Sequence, residues 1–324
     1  MKQQILQLDP ENYSRHLIHS QERDWAETNC YVDIWIELLH SLGHEPLSAL
    51  SYTLAIDFEG DQWTFFKFPL SDIYELYGID VQELAVWQPL TRHIEEQVSL
   101  GKPVLVELDS YFLPDTAGTA YKLDHVKSTV AITEIDLEAQ HLGYFHGQGY
   151  YHLSGDDFID VFRLRGESDP ATLPPYVEIA KLRRQEKLSA QQLLETSIKL
   201  LQKQLSLLPI ENPFHAFKIK FESDLPWLTK EGLEKFHQYS FATLRQFGAC
   251  YELAANYLSW LSSQGETQLE EPTQLIKSIS ETAKVYQFQL ARVISRGKTL
   301  DLTPVDSMAE SWTIAMTQLK EKYL

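Results

Sequence analysis

Apolar side chains at Tyr31, Ile34, Trp35, Leu38 and Leu42 recur every three or four positions, which predicts a helix with Asp33, Glu37 and Ser41 on its opposite face. Thr28 or Asn29 can cap its start, and Gly43 followed by Pro46 ends it. The pattern then changes period. "SYTLAIDF" (51–58) alternates Tyr52, Leu54, Ile56 and Phe58 with smaller or polar residues, as a half-buried strand does. "EGDQ" supplies a turn into "WTFFKF" (63–68), completing a predicted hairpin. "LSDIYELYG" and "LTRHIEEQVSLG" read as short helices stopped by Gly78 and Gly101. "PVLVELDSYFL" (103–113) and the β-branched "HVKSTVAITEI" (125–135) read as strands. "HLGYFHGQGYYHL" (141–153) reads as two short strands around Gly147 and Gly149, with Ser154 capping a helix in "GDDFIDVF".

After the proline-rich connector "GESDPATLPPY" (166–176) strand patterns become scarce. Residues 189–208, 229–265, 272–297 and the C-terminal "PVDSMAESWTIAMTQLKEKYL" all carry helical periodicity. The expected organisation is a mixed helix-and-strand domain over residues 1–165 and an all-α helical bundle over 166–324.

Composition narrows the class. The chain has 324 residues, 44% hydrophobic and 23% charged, as expected of a soluble globular protein. There is no apolar run of membrane-spanning length and no signal-peptide core in "MKQQILQLDPENYSRH", so a cytoplasmic location is expected. A formal charge of −18 argues against nucleic acid as a partner. Two cysteines do not make a disulfide framework, so Cys30 is expected to carry a free thiol.

Cys30 has two readings. It is a small core residue, or a nucleophile in the first helical turn, where unpaired N–H groups and the helix dipole favour negative charge. The same N–H groups, with Asn29, are the candidate oxyanion hole. Of eleven histidines, His125 is distinctive because it opens a β-branched strand downstream of Cys30. A cysteine on an early helix and a histidine on a later strand is the layout of papain-type thiol enzymes. His146, on the next predicted strand, is placed to orient the first imidazole.

"NCYVDIWIELLHSLG", "FEGDQWTFFKFP", "ELDSYFLPDTAGTAYKLDHVKSTVAI" and "GYFHGQGYYHLSGDDF" together resemble the family known as domain of unknown function 1839. Over roughly residues 25 to 165 the chain is also similar to the butirosin biosynthesis protein H family, of the papain-like, peptidase C39-like group. The resemblance implies an α+β chain with a papain-like (cysteine-proteinase-like) N-terminal domain. It implies an acyltransferase that takes an acyl or aminoacyl group from the phosphopantetheine thioester of a carrier protein and passes it to a small amine. Carried over, the catalytic positions are Cys30, His125 and His146, the last standing where those relatives have an aspartate. "ELDSYFLPDT" corresponds to a site-lining stretch, making Asp109, Tyr111 and Asp115 candidates to hold the incoming ammonium. No bound cofactor is implied.

Two other readings stay open: a cysteine peptidase or thioester hydrolase with the same Cys–His pair, and a non-catalytic domain that binds a carrier protein or partner. Carrier proteins are typically acidic, so docking would need a local positive surface. Lys181, Arg183, Arg184 and Lys187 in "IAKLRRQEKL" form the densest one, read as a helix face. No metal site is expected: Glu37, His40 and His44 share a helix end, but Gly43 interrupts it and the H-E-x-x-H pattern is absent.

Overall fold

The computed structural model describes residues 1–20, 23–25, 29–166, 173–296 and 299–324, Ser20 by its backbone alone. The chain divides into two compact units, one of residues 1–21, 29–46 and 70–187, the other of residues 22–28, 47–69 and 188–324. No helix among the described residues is long and apolar enough to cross a membrane.

The first unit is built on an antiparallel sheet. Its elements are β1 (Gln3–Gln4), α1 (Leu17–Ser20), α2 (Cys30–Ser41), α3 (Leu70–Tyr77), β2 (Ile79–Glu83), α4 (Leu90–Ser99), β3 (Val104–Asp109), β4 (Lys127–Asp136), β5 (His141–His146), β6 (Gly149–Ser154), α5 (Asp156–Val161) and β7 (Val177–Leu182). The strand order is β2-β7-β3-β4-β5-β6, with β1 extending the pairing on β4. Every pairing is antiparallel. Val104, Val106 and Leu108 of β3, Val130 and Ile132 of β4 and Leu142 and Tyr144 of β5 join Ile94 and Val98 of α4 and Phe158 of α5 in one buried cluster. Side chains alternate across a strand, so Thr129, Ala131, Gly143 and Phe145 belong to the other face.

Gly78 and Gly101 end α3 and α4 at φ +68° and +72°, as their positions predict. Strands β3 to β6 and helix α5 also form within the expected segments, but β3 stops at Asp109 and β4 starts at Lys127, so His125 precedes the strand it was expected to open. At the start of α5, however, Gly155 at φ +62° is the N-cap rather than Ser154, and it makes no side-chain cap bond.

Two expectations are corrected. Residues 46–55 form a 3₁₀ helix, not a strand, and the predicted hairpin reduces to a single bridge between Phe58 and Trp63. The alternation there was uninformative because Ser48, Ser51 and Thr53 are as buried as their apolar neighbours. Thr53 donates to the Leu50 carbonyl at 2.6 Å, satisfying its hydroxyl within the turn. The domain boundary expected at 165 also moves. Strand β7 lies between β2 and β3, so the sheet unit runs to residue 187. Part of the connector, residues 167–172, lies outside the described residues.

The second unit is helical: α6 (Ala190–Ser206), α7 (Pro213–Glu231), α8 (Leu233–Ala242), α9 (Leu244–Ser263), α10 (Glu270–Arg296) and α11 (Thr303–Tyr323), together with the 3₁₀ segment. Ser189 and Gln192 form a reciprocal capping box at the start of α6. Cys250 is fully buried in α9 and its thiol bonds the Thr53 carbonyl, a structural role. Burial pushes that thiol well up, so it stays neutral.

Candidate functional site

The richest polar chemistry lies where β3 gives way to β4. Beyond Asp109 the chain makes two 3₁₀ turns, Ser110–Phe112 and Pro114–Thr116. Thr116 ties the second turn down by donating to the carbonyls of Ser110 and Leu113, both at 2.9 Å. That fixes Asp115, whose side chain is only 5% exposed. Tyr144 donates to one oxygen of its carboxylate, and His146 Nδ1 meets the other at 2.5 Å. The second ring nitrogen of His146, Nε2, lies 2.6 Å from Ser128 Oγ. Val130 pairs with His146 across β4 and β5, so Ser128 sits diagonally beside the imidazole on the same face.

The result is a hydroxyl, an imidazole and a carboxylate in sequence. Asp115 accepts the Nδ1 proton, which leaves Nε2 to accept from the serine hydroxyl. Burial and the Asp115 charge push the Tyr144 hydroxyl far up, so it remains a donor to that carboxylate.

The residues expected to be catalytic are not brought together. His125 is 67% exposed; its Nδ1 lies 2.7 Å from Asp109 Oδ2, and its ring stacks on Tyr111 at 4.3 Å. Asp109 also accepts from the Tyr111 N–H, so these two expected ligand-holding residues position His125 instead. Cys30 opens α2, as predicted, but its thiol bonds Thr129 Oγ1 at 3.7 Å rather than an imidazole. Thr129 and Ser128 are consecutive and point to opposite faces, so Cys30 and His146 are separated by the sheet. His146 therefore orients nothing on the Cys30 side; its two nitrogens go to Asp115 and Ser128. Asn29 is the N-cap, its side-chain oxygen accepting from Tyr31 N and Val32 N at 3.0 and 3.3 Å. Those are donors an oxyanion would need, so the expected hole is partly filled by its own cap.

The basic patch is likewise reassigned. Residues 177–182 are strand β7, and the following cations bond to other elements of the same unit. Lys181 bonds Gln82 and lies 4.0 Å from Asp80, and Arg183 pairs with Asp80 at 3.1 Å. Arg184 donates to the carbonyls of Glu75 and Leu76 at the end of α3, and Lys187 to those of Leu42 and Gly43 after α2. Cations at helix C-termini satisfy orphan carbonyls and oppose the dipole. All four make contacts within the fold.

Sequence reasoning missed a buried network beside α2. Glu37, at 0% exposure, accepts from Tyr13 Oη at 2.5 Å and from His16 N at 3.1 Å, and also contacts His19 Nδ1. His19 Nε2 meets Asp33 at 3.1 Å. Asp33 and Glu37, expected on a polar face, are both buried. The available signal was two carboxylates one turn apart, flanked almost wholly by apolar residues. Burial alone would lower the His19 pKa, but hydrogen bonds and charge from Asp33 and Glu37 raise it instead.

His16 and His44 behave oppositely. Burial, then the neighbouring His40, lowers His16 to about 4; burial, then the Lys187 and Arg184 charges, lowers His44 to about 4. Between pH ~4 and ~6.5 the unfolded chain protonates these two groups while the fold does not, so stability falls as pH drops through that window. His19, with its raised value, keeps its contribution there and loses it as pH rises above the ordinary value of 6.5 and through its folded pKa. Urea unfolding followed by circular dichroism should therefore show a lower midpoint at pH 5 than at pH 7. His44→Gln should flatten the slope, and a pH-independent midpoint would contradict this account.

No curated protein matches the chain. Residues 14–182 match the model of the DUF1839 N-terminal domain and residues 190–321 that of the DUF1839 C-terminal domain, the division following the change from sheet to helices, and the chain belongs to the DUF1839 family.

Proposed function

We propose that this chain acts on acyl groups carried as thioesters or esters, with Ser128 as nucleophile, His146 as general base and Asp115 as its orienting carboxylate. The order of the hydrogen bonds, Ser128 Oγ to His146 Nε2 and His146 Nδ1 to Asp115, carries this reading. In the first step Ser128 Oγ bonds to the acyl carbon while its proton passes to His146 Nε2. Collapse of the tetrahedral species breaks the bond to the leaving thiol or alcohol, which takes that proton. Water or an amine, deprotonated by His146, then releases the acyl group and restores Ser128. The resemblance to the butirosin family supports a carrier-protein phosphopantetheine thioester as donor and an amine as acceptor.

A second reading keeps Cys30 as the nucleophile of a papain-like domain. It is favoured by the position of Cys30 at the first turn of α2, on a helix packed against β4.

Intact-mass analysis after incubation with an acyl-pantetheine thioester separates the two. An oxyester on Ser128 survives neutral hydroxylamine, and a thioester on Cys30 does not. The expected adduct is hydroxylamine-stable and absent from Ser128→Ala. A labile adduct lost in Cys30→Ala would transfer the role to the thiol. Absence of both adducts, with thioester consumption unchanged in both variants, would defeat the acyl reading.

A further inference from the structure

A second cluster lies on the opposite face of the sheet from Ser128 and His146. Glu134 of β4, Gly143 of β5 and His152 of β6 stand in one cross-strand row, and His141 precedes Gly143 by two positions on the same face. One ligand atom each from Glu134, His141 and His152 all lie within 4.8 Å of one another. The His141 and His152 rings are 4.6 Å apart.

The Glu134 side chain is 1% exposed. Its Oε1 meets His141 Nε2 at 2.9 Å and Lys2 Nζ at 2.7 Å. Among the described residues its buried Oε2 has no hydrogen-bond partner. A buried carboxylate oxygen without a partner is costly. The Lys2–Glu134 pair accounts for Oε1 alone. Gly143 preserves the packing in this row: a Cβ there would stand 2.2 Å from Tyr150 Oη and 2.8 Å from the Glu134 Cβ.

We propose that Glu134, His141 and His152 form a binding site for a divalent transition-metal ion of the zinc class, with Lys2 as the cation that competes for Glu134. Two imidazole nitrogens and one carboxylate oxygen suit Zn²⁺ and Co²⁺, whereas Mg²⁺ and Ca²⁺ favour all-oxygen sets. On binding, the His141 proton moves to Nδ1, freeing Nε2 for the metal. Lys2 is 48% exposed, so its ammonium can leave for water as the ion enters.

The test is Co²⁺ titration of the full chain at pH 7.5, following visible d–d absorption, with Zn²⁺ displacement as the second readout. One saturable equivalent is expected, and Lys2→Met should bind severalfold tighter. His152→Ala, an exposed position where truncation leaves the core untouched, should weaken binding by about tenfold or more, as should His141→Ala. Absence of a saturable equivalent in both the wild type and Lys2→Met would overturn the site. So would an affinity unchanged by His152→Ala, because the bound ion would then belong to other histidines.

Discussion

Replacing His146 with Ala is expected to lower acyl turnover by roughly 10³-fold or more while the N-terminal unit stays folded. Among the described residues the imidazole alone is bonded to both the Ser128 hydroxyl and the Asp115 carboxylate, so its removal takes away the serine's proton acceptor. Asp115→Asn should cost nearly as much, since an amide at that position can hold the wrong tautomer and supplies no charge for the imidazolium. Ser128→Ala combined with His146→Ala should be little worse than either alone, because groups that act as a unit lose their effect together. The measurement is steady-state thioester consumption, with circular dichroism as the check on folding. Additive losses would mean that the two residues do not work in one step. Unchanged turnover in folded His146→Ala would remove the base from the proposal.

The second large effect falls on stability. Glu37→Ala should destabilise the N-terminal unit by about 3–5 kcal/mol, the usual cost of stripping one partner from a buried ionic network. His19 would lose one of its two carboxylates, and the Tyr13 hydroxyl and the His16 N–H would lose their acceptor. For a domain of this size, each kcal/mol moves the melting temperature by about 2–4 °C, so a shift of roughly 10 °C is expected. Glu37→Gln should be less damaging than Glu37→Ala, because its amide oxygen can still accept a hydrogen bond from this network. A loss below about 1 kcal/mol for Glu37→Ala would show that water, rather than Glu37, serves these groups in solution.

The amino-acid sequence by itself determined the local elements of this protein. Strands β3 to β6 follow from β-branched and alternating runs, α3 and α4 from periodic runs stopped by Gly78 and Gly101, and the helical C-terminal half from its 3.6-residue spacing. It also fixed Cys30 at the start of a helix and supplied His146 and Asp115 as candidate chemistry. These signals are short-range, carried by neighbours within a turn or along one strand. Pairing across the sheet is not. Residues 177–182 become a strand only because β2 and β3 leave a place between them, so the segment read as a basic helix begins in β7, with Lys181 and Arg183 against β2 and Arg184 and Lys187 at helix ends. Asp33 and Glu37 share one helix turn with apolar residues, and only the fold of the N-terminal segment over α2 buries them and gives them histidine partners. Register decided the site itself. Ser128 and Thr129 differ by one position, and the period of two places one beside His146 and the other against Cys30. Which hydroxyl meets which base is therefore a property of the paired sheet.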